Sequence, residues 1–124
     1  MTTFSHLNDV PSEEVTPGVR VRHIYLKNTL LSIIEYAPNA SIPTHRHPHE
    51  QISLVLEGTV EETIGKEKKR LRKGGIASVR SDVLHSSKAG RNGAKVLCAA
   101  SPVTKPYTFE PLPDVYNRDR SGDY

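Results

Sequence analysis

The sequence predicts an all-β domain, a sandwich or a barrel, and three observations carry that expectation. From Gly18 onward, short β-branched runs are separated by Gly, Pro and Asn clusters, the spacing of strands and tight turns. No segment in this portion keeps a 3.6-residue apolar period over ten residues, so helical architectures have little support. At 124 residues the chain has the length of one compact domain, and with no Trp and 2 Phe its core must come from Ile, Val and Leu.

Three segments follow in order. Thr2 to Pro17 is polar, contains two prolines and reads as an N-terminal arm, residues 1–17. The barrel proper occupies residues 18–102, with strands expected at Val19 to Leu26, Thr29 to Tyr36 and, after the Ala37-Pro38-Asn39-Ala40 turn, Ser41 to Thr44. Gln51 to Glu57 is expected to reverse at Glu57-Gly58 into Thr59 to Ile64, and Gly65-Lys66 leads into Lys68 to Arg72. Gly74-Gly75 precedes Ile76 to Val79, and Val83 to Lys88 is expected to turn at Gly90-Arg91-Asn92-Gly93 into Lys95 to Ala99. Each turn places Gly or Asn where positive φ is cheap, or Pro where φ is already set. Residues 103–124 form a C-terminal arm with Pro106, Pro111 and Pro113; Tyr107, Phe109, Leu112 and Tyr116 can anchor its first part, and the last eight residues are expected to be disordered.

Composition narrows the function. No stretch approaches the roughly 20 apolar residues that span a bilayer, and Met1 to Val10 lacks a basic start and an apolar signal core, so a cytoplasmic protein without membrane contact is expected. The lone Cys98 cannot form an internal disulfide. Net charge is +3, and the main basic run, Lys66 to Lys73, has six basic residues beside a turn; it reads as a solvated hairpin face and not as a nucleic-acid site.

The histidines carry the main chemical signal. Four of the six lie at His45, His47, His49 and His85. On a strand, residues two apart share a face, so His45 and His47 project together, and His49 and Gln51 keep that parity if Pro48 does not bend the chain. The opposite face reads Ile52, Leu54, Leu56. Two imidazoles in i, i+2 register, a carboxamide four residues on and a further imidazole on a separate strand predict a metal site for one divalent transition ion: Zn, Mn, Fe, Ni or Co. His6 and His23 lack such company and are expected to be structural or exposed.

These residues resemble the cupin family. His45-x-His47, Gln51 and Gly58 follow the first cupin motif, with Gln51 where most members carry Glu, and Gly74, Arg80, Asp82 and His85 follow the second, with Ala89 at its usual Asn. The resemblance covers roughly Val10 to Pro102. It implies a single-domain jelly-roll barrel in which His45, His47, Gln51 and His85 match the family's metal ligands. Val10 to Val19 and His47 to Ile52 are most similar to small bacterial cupins that linearise unsaturated uronates from pectin and alginate. Those members carry Asp-x-Phe-Ser-Pro-Pro-Arg after the last strand; here the stretch reads Cys98-Ala99-Ala100-Ser101-Pro102-Val103-Thr104, so the carboxylate clamp is lost unless Lys105 or Arg80 substitutes.

Three His and one Gln leave the ion's 2+ charge uncompensated, which favours small anionic or enolisable substrates and Lewis-acid isomerase or lyase chemistry on a uronate or keto-acid. A metal-dependent dioxygenase and a non-catalytic metal- or ligand-binding cupin remain open alternatives. Candidates for proton transfer are His49 and Cys98; Ser53 and Arg80 are candidates to line the substrate pocket, and Tyr36 and Tyr107 to hydrogen-bond a substrate. A homodimer is expected, because the resemblance implies small barrels that commonly pair their sheets and the arms at both ends can add apolar pairing surface.

Overall fold

A computed structural model of the chain describes residues 3–102. A single 3₁₀ turn at Leu7–Asp9 precedes eight strands: β1 (Ser12–Thr16), β2 (Val19–Tyr25), β3 (Leu30–Tyr36), β4 (Ser41–His45), β5 (Glu50–Ile64), β6 (Glu67–Leu71), β7 (Ile76–Val79) and β8 (His85–Ser101). The hydrogen-bonded order is β1-β2-β3-β8-β5-β6, with β4 added to β8 and β7 to β5, and every pairing is antiparallel.

Two long strands organise the molecule. β5 and β8 pair from Glu50↔Ser101 to Ile64↔His85, and each changes its other partner along its length. β8 pairs with β4 near Lys88 and His85, then with β3 from Ala94 to Ala100. β5 pairs with β7 over Gln51 to Leu54, then with β6 over Val60 to Ile64. The sheet therefore folds over on itself into two layers, and the apolar core lies between them. That core joins Val19, Val21 and Tyr36 to Val55, Val96 and Cys98 and to Ile42, Val60, Leu71 and Ala89. Val19, Val55, Val60 and Val96 are at most 2% exposed, and each contributes roughly 1.5–3 kcal/mol by leaving water.

The bends sit at glycines expected to reverse the chain. Glu57-Gly58 and Gly90-Arg91-Asn92-Gly93 are not hairpin turns; they lie inside β5 and β8. The register shifts on either side of Gly58, between Val55 and Glu57 and between Gly58 and Val60, as at β-bulges. A Cβ on Gly58 would meet the Gly93 carbonyl oxygen at 2.1 Å, and one on Gly93 would meet that of Tyr36 at 2.5 Å. Both have positive φ, +73° and +76°. These glycines let backbones approach where the layers cross, a role that looks like a turn in sequence.

The N-terminal segment also departs from expectation. Ser12–Thr16, within the expected arm, pairs with β2 as an edge strand; its polar composition suits an edge and disguises it as loop. Arg22 Nη1 donates to the carbonyls of Val10 at 2.6 Å and Leu7 at 3.3 Å, fastening the preceding segment. The face opposite Gln51 is not uniformly packed: Ile52 is 56% exposed, and Ile76 on β7 is 62% exposed. The C-terminal arm, with Lys105, Tyr107, Phe109, Leu112 and Tyr116 and the expected disorder of its end, lies outside the described residues.

Candidate metal centre and its cavity

β4 delivers His45 at its last residue, in register with His85 at the first residue of β8. The chain does not continue as one strand through Pro48. It turns a corner over residues 46–49 before β5 begins at Glu50, and this corner, not strand parity, brings His47 beside His45. The ring centroids of His45 and His85 lie 4.1 Å apart, those of His47 and His85 4.7 Å, and those of His45 and His47 5.5 Å. One ligand atom from each of the three falls within 4.8 Å of the other two, and all three side chains are buried. This group can hold a metal ion.

The backbone sets the tautomers. Nδ1 of His45 lies 2.8 Å from the Pro43 carbonyl, Nδ1 of His85 2.8 Å from that of Val83, and Nδ1 of His47 3.0 Å from that of His49. A carbonyl only accepts, so each Nδ1 carries the proton and each Nε2 keeps a lone pair for a ligand. Nε2 of His85 is buried without a hydrogen-bond partner, a state that costs about 1–3 kcal/mol and that an electron-pair acceptor relieves. Burial pushes His45 down to about 4 and His85 to about 3, so both are neutral and ligand-ready at pH 7. By this test the residues fit a divalent transition ion.

Gln51, on β5, places Oε1 3.2 Å from Nε2 of His47. Two donors sharing an ion about 2.1 Å from each, at right angles, stand about 3 Å apart. The other end of the carboxamide is held: Nε2 of Gln51 donates to Ser53 Oγ at 3.1 Å and lies 3.9 Å from Cys98 Sγ. Ser53 Oγ and Cys98 Sγ are themselves 3.2 Å apart. Burial pushes the Cys98 thiol up to about 12, so it stands here as a neutral neighbour of Gln51. The His49 ring stacks on His47 at 3.8 Å, and burial lowers its pKa to about 4.

The histidine group opens onto a cavity between the layers through His45 and His85. His45, His49, Gln51, Ser53, His85 and Cys98 line it. Arg80 is not among its lining residues; it lines a separate cleft with Glu50, Gln51, Ile52 and Ser78. His23 also lines the cavity, half-buried with Nδ1 2.7 Å from Ser32 Oγ. His6 is exposed and accepts from the Asn8 amide at 3.0 Å. Deeper in the cavity, Tyr36 Oη and Ser87 Oγ are 2.7 Å apart, and Glu62 joins them on the wall. Burial raises the Glu62 carboxyl to about 7.

Comparison with protein families finds that the cupin domain model matches residues 32–99, which include both halves of the histidine group. The chain belongs to the cupin family. Solved structures agree on the fold of this cupin. It is similar to an RmlC-like cupin from Shewanella frigidimarina, with 22% identity and a TM-score of 0.78 over 85% of this chain and 95% of that one. It is similar also to KdgF from Halomonas sp., with 22% identity and a TM-score of 0.75 over 83% and 96% of the two chains. A predicted oxalate decarboxylase from Thermotoga maritima follows with 15% identity and a TM-score of 0.71 over 82% and 100%. A comparison with curated proteins finds no match.

Glu62 is the cavity residue of this cupin that sequence reading missed. The signal was present: in Val60-Glu61-Glu62-Thr63-Ile64, Glu62 shares the strand parity of fully buried Val60 and half-buried Ile64. A carboxyl on the inward, apolar stripe of a strand cannot be a solvated face.

Proposed function

We propose that this cupin is a metal-dependent enzyme acting on a small oxygenated anion of the uronate or keto-acid class, by isomerase- or lyase-type chemistry. The observation that carries the reading is the convergence of three tautomer-fixed imidazoles beside a cavity, lined by His45 and His85, that also contains a carboxyl group. His45, His47 and His85 would hold the ion through Nε2, and Gln51 through Oε1. A divalent transition ion in that place supplies Lewis acidity to a carbonyl or carboxylate oxygen.

The chain's own residues provide the rest. Ser53 and Cys98 keep the Gln51 amide nitrogen turned away so that its oxygen faces the histidines. Tyr36 and Ser87 present hydroxyls to a bound hydroxy-acid. The aliphatic wall of Val21, Leu30, Ile34, Ile42 and Val96 excludes water and strengthens every polar contact inside. No Lys or Arg lines the cavity among the described residues, so the attraction for an anion rests on the ion, whose charge the neutral ligand set leaves uncancelled.

Oxygen dependence tests this reading. The zinc-, manganese- or nickel-loaded protein is expected to convert an unsaturated uronate or a small keto-acid under strict anaerobiosis. Turnover that requires and consumes dioxygen would transfer the site to the dioxygenase class, and ligand binding with no product in either atmosphere would make it a binding module. We also propose that two copies pair, with exposed Ile52 and Ile76 offering apolar surface; sedimentation should give the mass of two chains, and a mass of one at high concentration would refute it.

A further inference from the structure

The cavity holds one carboxyl group among the described residues, that of Glu62. Glu62 projects from the second half of β5, directly opposite Ser87 on β8 and Lys69 on β6. It lines the same cavity as His45, Gln51 and His85 yet is neither within two residues of any of them nor their register partner. Its side chain makes no hydrogen bond or ion pair among the described residues.

A carboxyl without a hydrogen-bond partner on the wall of a largely apolar cavity is held at some cost; Glu62 is half-buried, so its oxygens stay accessible to a molecule in the cavity. Tyr36 from β3 and Cys98 from β8 lie close enough to feel its charge, Ser87 on β8 is its register partner, and His23 from β2 lines the same cavity. Lys69, across on β6, is exposed and forms no ion pair with it. Tyr36 is buried and, like Cys98, held well above its ordinary pKa, with proximity to Glu62 contributing in both. Neither competes as a base near neutrality. His49 is the other sequence candidate for proton transfer, and it is stacked against His47.

We infer that Glu62 is the proton-transfer residue of this cavity, taking a proton from an O–H or C–H of the bound hydroxy- or keto-acid and returning one to a neighbouring atom. The inference rests on the metal-dependent reading above. The step balances within the substrate: the bonding pair of the broken O–H or C–H bond moves along the carbonyl system, a new C–H or O–H bond forms, and Glu62 ends in its starting state. No oxidant or reductant enters. Burial raises the carboxyl to about 7, where both of its protonation states are populated at working pH.

The test compares wild type with Glu62→Gln, which keeps shape and removes acidity, and with Glu62→Asp, which keeps acidity and withdraws it by one methylene. All three are loaded with zinc and assayed on an unsaturated uronate and on pyruvate, for turnover and for exchange of substrate C–H with deuterated solvent. Glu62→Gln is expected to bind one zinc per chain as wild type does, to lose about 100-fold or more in kcat, and to lose the limb of the pH profile near 7; Glu62→Asp should recover part of both. Wild-type activity that Glu62→Gln keeps within threefold, with the limb intact, overturns this inference alone. A wild type that neither turns over nor exchanges these substrates overturns the metal-dependent reading and this inference with it.

Discussion

His85→Ala is expected to abolish stoichiometric binding of zinc, and so is the pair His45→Ala with His47→Ala, whereas His49→Ala leaves binding largely intact. The three residues differ from His49 in one respect that matters: their ligand atoms fall within 4.8 Å of one another as a group, and His49 does not belong to it. Each of the three is aimed by a backbone carbonyl on Nδ1, so each presents Nε2 without reorganisation, and losing one leaves too few donors for a closed set. A thermal readout separates this from misfolding. Zinc at about 100 times its Kd should stabilise wild type and His49→Ala by about 2.7 kcal/mol and should leave the other variants unshifted, while all variants melt cooperatively without metal. Full zinc affinity in the His45 and His47 double variant would remove the site.

Gly58→Ala carries the second large effect, and it falls on the fold. An alanine there takes φ near +73° and drives its methyl into the Gly93 carbonyl oxygen, 2.1 Å from the ideal Cβ position. The obstacle is backbone, so no rotamer relieves it. Gly74→Ala is the matched control: its φ is +88°, but nothing lies within 4 Å of the added carbon, so it should cost only about 1–2 kcal/mol of conformational strain. Gly58→Ala is expected to cost about 3 kcal/mol or more, read as a melting temperature lower by about 10 °C or more. Equal effects in the two variants would mean that the close crossing of β5 and β8 is not a constraint.

The fold class was legible because alternation and turn residues are local properties, and seven of the eight strands overlap expected runs. What sequence could not separate was a glycine that reverses a chain from one that lets two chains touch. Gly58 and Gly93 have the positive φ of turn glycines, yet the reason for each is a contact far off in sequence, with Gly93 and with Tyr36 respectively. β1 escaped because an edge strand needs no apolar alternation to be paired.

The metal group was readable for a related reason. His45, His47 and Gln51 are close in the chain, so spacing alone suggests convergence, and His85 joined them as a further imidazole on a separate strand. The physical route differed from strand parity, since His47 arrives through the corner before β5. Arg80 illustrates the converse: it was a candidate to line the substrate pocket, and it lines a different cleft with Ile52 and Ser78. Glu62 lay hidden beside Glu61, which forms an ion pair with Lys68 at 3.7 Å; an acidic pair on a strand puts one member outward and one inward, and only the tertiary fold shows that inward is a cavity.

Elemental analysis of the protein purified without a metal-affinity tag tests the central claim most directly. Close to one divalent transition ion per chain, removed by a chelator and restored by dialysis against zinc, manganese or nickel, is the predicted result. Protein that is metal-free as purified and takes up none of these ions on reconstitution would contradict it.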